Sequence, residues 1–508
     1  MTITLNTKLM AVSVLALASI HIVNAQSKLV RQASSFTKAM EDKQVRPNII
    51  LIMADDMGWG DMSYNGNPVK KTPHLDQMVN EGVRFDRFYS AAAVCAPTRA
   101  SVMTGSTPLR VDMIRATTGH IRSHLELLPE YFRDRGYTTG HFGKWHLGTL
   151  SRDPVDFPDQ GRDPVKDYSP PWENGFDVCF STHNVVPTWN PMDVPNQGGN
   201  WHCQRRSDEG WWGQHYFDET GNMFLPEDPM LKGDDSRILM DRALLFIESQ
   251  AKADRPFLAV IWFHAPHTPT LAGGAFLDMY EGREGRHHYG SISAMDAQIG
   301  RLRSHLANLR IHENTLIWFC SDNGAARHNP DFGEYGGYGS NGTLRDWKGS
   351  YYEGGIRVPG ILVFPQQFTK CVISAPVCTS DIYPTLEDFV WGEKPTQPED
   401  GISILPMLTG RQTARGSTIA FGTDNRHRVI LDDRYKLHRF EHAGVPRWEL
   451  YDLVDDPGEQ DNLFNERPEV VERLKTQYDE WLRSCEKSLK QLNSMRTDSK
   501  SEIGKPLV

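Results

Sequence analysis

Three groups of polar residues stand at the ends of apolar runs too short to be helices. Asp55 and Asp56 follow Asn48 to Met53, His264 follows Phe257 to Phe263, and Asp322 and Asn323 follow Thr315 to Cys320. The C-terminal ends of strands are where open α/β sheets carry their sites. Taken singly, a double Asp or a Ser-Asp-Asn-Gly run is an ordinary solvated turn. Taken together, three carboxylates and an amide oxygen are hard donors that suit Ca²⁺ or Mg²⁺ and not the thiolate sets that select zinc.

A second kind of chemistry is written in Val94-Cys95-Ala96-Pro97-Thr98-Arg99-Ala100-Ser101. Pro97 suits a first helical turn, so residue 95 projects from a helix N-terminus, where backbone N–H groups favour an anion. Arg99 lies one turn further on and reaches the same spot with a fixed charge. Lys144 and His146 alternate along what reads as an extended stretch, so both face one cleft. A lone histidine after a strand, such as His264, is by itself more often a packed residue than an acid or base.

These residues need a scaffold. Asn48 to Met53 reads as a buried strand, followed by a helix from Thr72-Pro73 that ends at Gly82 and by the strand Val83 to Tyr89, a β-α-β unit. The pattern recurs in helix Leu127 to Arg135 before the extended Tyr137 to Phe142, in helix Arg237 to Gln250 before Phe257 to Phe263, and in helix Ser291 to Leu309 before Thr315 to Cys320. Continuous apolar strands separated by helices imply an α/β fold, with a large, mainly parallel sheet covered on both faces. Residues 150–235 lose this periodicity and read as a loop-rich insertion, with Trp172, Trp189, Trp201, Trp211 and Trp212 available for loop packing or for stacking on sugar rings. Lys394 to Pro398 reads as a linker. A smaller antiparallel-sheet and helix subdomain then spans 396–490, with strands near Arg428 to Leu431, Tyr435 to Phe440 and Glu449 to Leu453, a helix over Pro468 to Leu489, and a tail at 491–508.

The 508 residues, 39% hydrophobic and 24% charged, have a globular composition, and the net charge of -10 argues against a nucleic-acid surface. Lys8, the apolar run Leu9 to Ile20 and the small residues near Ala25 predict a removed signal peptide over 1–25, with a lead-in over 26–45. The alternative, a membrane anchor, needs a longer apolar run, and no later segment reads as a span. Export to the periplasm or extracellular space follows as the expectation. Of seven cysteines, an odd count in an exported chain, Cys95 is the candidate for a separate task.

Cys-x-Pro-x-Arg at Cys95, preceded by Ala54-Asp55-Asp56-x-Gly58 and followed by Gly143-Lys144-Trp145-His146-Leu147-Gly148, resembles the type I, formylglycine-dependent sulfatases of the alkaline phosphatase superfamily. The likeness extends through His264-Ala-Pro-His267, Ser321-Asp322-Asn323-Gly324, Lys348 to Pro359 and Tyr451 to Leu463, covering about residues 46 to 465. Thr98 stands where the most familiar form of the motif has Ser. The resemblance implies an alkaline-phosphatase-like α/β/α sandwich, with a catalytic domain at 46–395.

It also implies oxidation of Cys95 to formylglycine by a maturation enzyme, and one Ca²⁺ held by Asp55, Asp56, residue 95, Asp322 and Asn323. The aldehyde hydrate would offer one hydroxyl to attack sulfur and a second whose deprotonation expels sulfate. By the same likeness Arg99 stabilises the hydrate or the metal shell, Lys144 and Lys348 bind sulfate, His146 takes the second hydrate proton, and His264 protonates the leaving alcohol. His267 and His120 read equally as pocket or structural residues. The expected substrate is a sulfated polysaccharide or oligosaccharide. Rival readings are a broad arylsulfatase, a phosphonate or phosphate monoester hydrolase on the same fold, an inactive carbohydrate-binding homologue, and a hydrolase using the Cys95 thiol itself.

Overall fold

The computed structural model describes residues 46–502 apart from 123–124, 154–160, 196–212, 394–399 and 423–426. The expected signal peptide and lead-in, the Lys394 to Pro398 linker, Cys203, Trp201, Trp211 and Trp212 lie outside the described residues. Among the described residues no helix is long and apolar enough to cross a membrane.

In chain order the strands are β1 (Asn48–Ala54), β2 (Val83–Phe85), β3 (Phe88–Tyr89), β4 (Thr138–Lys144), β5 (Val178–Thr182), β6 (Phe217–Asp218), β7 (Phe257–Trp262), β8 (Thr315–Ser321), β9 (Arg357–Val358), β10 (Gly360–Val363), β11 (Cys371–Ile373), β12 (Val377–Cys378), β13 (Ile419–Gly422), β14 (His427–Leu431), β15 (Tyr435–His442) and β16 (Val445–Asp452). Nine of them form the main sheet in the order β11-β2-β10-β8-β1-β7-β4-β5-β6, with β12-β3-β9 and β13-β14-β15-β16 as separate sheets. The centre is parallel from β8 through β1, β7 and β4 to β5, while β10 runs against both β8 and β2.

Alternate side chains of a strand point to opposite faces, and here both faces are covered. In β1, Ile49, Leu51 and Met53 enter one core, with Leu258, Val260, Leu316 and Trp318 from the neighbouring strands. Ile50, Ile52 and Ala54 enter the other, with Ala259, Ile261, Ile317 and Phe319. All seven residues of β1 are buried, which explains why the run is continuous in apolar residues instead of alternating.

Several sequence expectations are corrected. Val83 to Tyr89 is not one strand: the chain breaks after Phe85, and Phe88–Tyr89 joins the three-stranded sheet, because β2 pairs with β10 and β11 while β3 pairs with β9 and β12. β1 and β2 are consequently not neighbours but are separated by β8 and β10. The stretch 150–235 is not loop alone, since β5 pairs in parallel with β4 and extends the main sheet. The C-terminal sheet contains a strand not anticipated, β13, and the final helix runs Pro468–Glu502 where a tail was expected beyond 490.

The four-stranded sheet is tied to the main body by buried charge. Lys436 Nζ lies 3.0 Å from Glu353 Oε1 and 2.9 Å from Glu459 Oε1, with all three side chains fully buried. Burial pushes the Glu459 carboxyl up to about 7, against the pull of Lys436. Because this value exceeds the ~4.3 of an unfolded glutamate, the folded chain holds a proton the unfolded chain releases. That contribution is present below the unfolded value and is lost as pH rises through the folded one. Lys436→Met strands two buried carboxylates and should cost about 3–5 kcal/mol at pH 8. Urea melts should show a smaller deficit at pH 5, where the carboxyl can take up a proton, and an equal deficit at both pH values would contradict this account.

Candidate active site

The centre is built where β1 and β8 end side by side. Ala54 pairs with Ser321, so the next residues of both strands emerge together: Asp55 and Asp56 from one, Asp322 and Asn323 from the other. The Asp322 N–H donates to Ala54 O at 3.1 Å, the Asp56 N–H donates to Asp322 Oδ1 at 3.1 Å, and Asn323 Nδ2 donates to Asp56 Oδ1 at 2.7 Å. Asp56 takes a left-handed φ of 64°, an uncommon conformation held in place by these bonds.

Above this floor stands the helix Cys95–Thr104, every residue of which is buried. Cys95 opens the helix, and its Sγ lies 3.5 Å from Asp55 Oδ1 and 4.0 Å from Asp56 Oδ1. Burial pushes the Cys95 thiol far up, and the Asp322 and Asp55 carboxylates push it further. An unmodified Cys95 is therefore held as a protonated thiol, which is a poor nucleophile.

Three cations answer the three carboxylates. Arg99 Nη2 lies 2.7 Å from Asp322 Oδ2 and 3.4 Å from Asp55 Oδ2, and its Nη1 donates to Lys144 O at 2.9 Å. Lys144 Nζ donates to Asp55 Oδ2 at 2.7 Å, and Lys348 Nζ to Asp56 Oδ2 at 2.9 Å. Burial by itself would raise Asp55, yet Lys144, His267, Arg99 and Lys348 outweigh it and hold that carboxyl well below the usual range. Asp322 goes the other way: burial and the nearby Asp55 push it up to about 6, against Arg99 and Lys144.

The extended alternation expected for Lys144 and His146 is corrected, because β4 ends at Lys144 and His146 sits at φ 60°. The two are still neighbours. Among the described residues neither ring nitrogen of buried His146 has a hydrogen-bond partner, and burial, Lys144 and Arg162 hold the imidazole neutral. Gly143 is required here, since a Cβ on it would meet Trp262 O at 1.9 Å.

His264 follows β7, which lies between β1 and β4. Its Nδ1 is 2.8 Å from Asp235 Oδ2 and its Nε2 is 2.8 Å from Thr182 Oγ1. His267, left undecided by sequence, reaches the centre with Nε2 3.5 Å from Asp56 Oδ2, whereas His120 pairs with Asp167 at 3.1 Å. Sequence reasoning missed Asp235 and Thr182, whose signals, a second Asp-Asp and a strand-end Thr, lay in the stretch read as loops. Of the tryptophans, Trp172 packs on the core and Trp189 on Gly273.

Ligand atoms of Asp55, Asp56, Cys95 and His267 lie within 4.8 Å of one another. Asp322 stands behind them on Arg99, and the Asn323 Oδ1 is buried with no hydrogen-bond partner among the described residues. A carbonyl oxygen left so beside two aspartates suits a hard cation, which needs no hydrogen to satisfy it.

The Sulfatase family model matches residues 47–392, and the N-sulphoglucosamine sulphohydrolase C-terminal model matches residues 345–486. The chain is 30% identical to arylsulfatase A of Homo sapiens over 468 residues, covering 84% of this chain and 86% of the relative. It is 31% identical to N-acetylgalactosamine-6-sulfatase of Canis lupus familiaris over 411 residues, covering 77% of this chain and 71% of that one. In fold it is similar to the solved structure of Ps i-CgsB in complex with k-i-k-neocarrahexaose, at TM-score 0.71 and 23% identity, with 86% of this chain and 92% of that chain covered. The phosphonate monoester hydrolase of Agrobacterium radiobacter shares the fold at TM-score 0.59 and 22% identity, with 87% and 95% covered. A match across most of the chain, joined to the convergence of Cys95 and paired acidic strand ends at one buried point, shows that this chain belongs to the sulfatase family of sulfuric ester hydrolases, within the alkaline-phosphatase-like superfamily.

Proposed function

We propose that this sulfatase removes sulfate from a sulfated carbohydrate, using residue 95 as formylglycine and one Ca²⁺ held by Asp55, Asp56, residue 95, Asp322 and Asn323. The observation that carries the reading is the buried Cys95 Sγ facing both Asp55 and Asp56, with the unpartnered Asn323 Oδ1 at the same strand ends. As a protonated thiol, Cys95 gives no support to a cysteine hydrolase. As formylglycine, residue 95 supplies a hydrated aldehyde whose hydroxyl is the nucleophile. When bound, the ion supplies positive charge that activates that hydroxyl and polarises the sulfate.

The chain's own groups do the rest. Arg99 orients Asp322 and Asp55 and offsets their charge, so the carboxylates can be buried as anions. Lys144 and Lys348 present ammonium groups from two sides of the aspartate pair, where a sulfate oxygen can share them. The neutral His146 imidazole, with both nitrogens unpartnered, can accept a proton from residue 95 as sulfate departs. For the proton to the leaving alcohol, which matters for sugar alkoxides more than for phenols of low pKa, the family resemblance implies His264, whose ring is buried with both nitrogens engaged, whereas the histidine that faces the centre is His267. Formylglycine formation requires a maturation enzyme acting before Cys95 is buried, and we assign the chain to the exported proteins of the periplasm or extracellular space, from residues 1–25.

Three outcomes follow. Matured protein should carry at residue 95 an aldehyde that a hydrazide reagent traps, detected by peptide mass spectrometry, and Cys95→Ala should lower turnover by more than about 10³-fold with the melting temperature retained; a free thiol in active protein would remove the proposed nucleophile. Ca²⁺ at a fixed concentration of 100 times the wild-type Kd should stabilise the wild-type protein by about 2.7 kcal/mol over an EGTA control. Asn323→Ala should shrink that increment, and an unchanged one would remove Asn323 from the ligand set. His264→Ala should slow an alkyl sulfate at least about 10-fold more than 4-nitrophenyl sulfate, within the range of a lost general acid; equal losses would count against its role.

A further inference from the structure

Of the three cations at the centre, Lys348 is the one open to solvent, with 23% of its side chain exposed while Arg99 and Lys144 are fully buried. Its Nζ lies 2.6 Å from Asp56 Oδ1, the same oxygen that stands 4.0 Å from Cys95 Sγ. The ammonium is thus beside residue 95 and reachable from outside. A lysine is a point charge on a flexible stem, so its placement depends on the backbone that carries it.

That backbone is a short closed loop. The Gly354 N–H donates to Arg345 O at 2.7 Å, so residues 345–354 leave and return at one point with Lys348 between. Gly354 is required at the crossing, because a Cβ there would meet Asp346 O at 2.2 Å and Arg345 O at 2.5 Å. The tip is tied to the centre: the Lys348 N–H donates to Ala325 O at 3.0 Å, and the Gly349 N–H donates to Ala93 O at 2.8 Å, close before Cys95.

The base of the loop is gripped by the four-stranded sheet. The Arg345 guanidinium lies over the Tyr352 ring, 3.7 Å from its centroid, so the two ends of the loop stack on each other. Arg345 Nη1 donates to the Tyr451 hydroxyl at 2.8 Å and to Glu459 O at 3.1 Å. The Tyr352 hydroxyl donates to Glu449 Oε2 at 2.5 Å. Glu449 and Tyr451 alternate along β16 and therefore leave the same face of the sheet. With 36% of the Arg345 side chain exposed, such contacts add little stability. Their consequence is geometric: one strand holds both ends of the loop that presents Lys348.

We infer that Arg345 and Tyr352, held by Glu449 and Tyr451 of β16, are positioning residues that set the Lys348 ammonium beside residue 95, so that the C-terminal sheet takes part in sulfate binding without touching the substrate. The inference rests on the reading of Lys348 as a sulfate ligand. With the grip removed the base of the loop can open, and a misplacement of about 1 Å at a binding group can cost about 10²-fold.

The test is a thermal-shift titration of matured, Ca²⁺-loaded protein with inorganic sulfate, against chloride at equal ionic strength, in Arg345→Met, Lys348→Met and the pair. Arg345→Met should raise the sulfate Kd about 10-fold, yet less than about twofold when residue 348 is already Met. An unchanged Kd, or an equal rise in both backgrounds, would overturn the inference. The Ca²⁺ stabilisation of Arg345→Met should not fall below that of the wild type, and a fall would mark a general disturbance of the centre and count against a positioning role. Glu449 reads the same grip without touching the loop: Glu449→Leu should weaken sulfate binding, whereas Glu449→Gln, which keeps an acceptor for the Tyr352 hydroxyl, should retain it, and equal effects of the two would also overturn the inference. If Lys348→Met by itself leaves the sulfate Kd unchanged, the reading of Lys348 as a sulfate ligand fails instead.

Discussion

Three carboxylates buried at one point are the constraint to which the rest of this protein answers. Two adjacent parallel strands in register bring Asp55, Asp56 and Asp322 together, all within 3% of complete burial. Such charges do not survive away from water unless they are paired, and leaving one unpaired costs about 3–5 kcal/mol. Arg99, Lys144 and Lys348 come from a helix, a strand end and a late loop to meet them, so several distant parts of the chain are pinned to one spot. The charges balance without a metal, and a divalent cation there would leave a net positive centre suited to an anionic ester.

The sheet makes this arrangement possible by being dry on both faces. Because β1, β7 and β8 bury every side chain, their only polar exits are at their C-terminal ends, and the reactive residues emerge there. Two of the chain's left-handed non-glycine residues, Asp56 and His146, lie at the same edge. The segment between β4 and β7, poor in periodic pattern, is part of this construction: it supplies β5, which carries Thr182, and the turn that delivers Asp235.

Burial also decides which groups can act. The same dry surroundings that keep the Cys95 thiol protonated keep His146 neutral and leave its nitrogens open. His264 differs because its two nitrogens are both engaged, one by a carboxylate and one by a hydroxyl. His146 and His264 are thereby given unlike surroundings.

The sequence by itself determined the central strands β1, β4, β7 and β8, the chemistry-bearing residues that follow β1, β7 and β8, and the helix that presents Cys95, because apolar runs, Pro97 and the Asp pairs are local signals that survive in one dimension. It did not reveal that Val83 to Tyr89 serves two sheets, that β5 joins the main one, or that β13 exists, since strands this short are defined by the partner they meet rather than by their own pattern. His267 and His120 looked alike as isolated histidines, and only folding put one beside Asp56 and the other beside Asp167. The ion-pair choices of Arg99, Lys144 and Lys348, and the hold of Asp235 on His264, belong wholly to the tertiary structure: which charge meets which depends on distance across the fold, and the chain separations of up to 292 residues that they close carry no trace along the sequence.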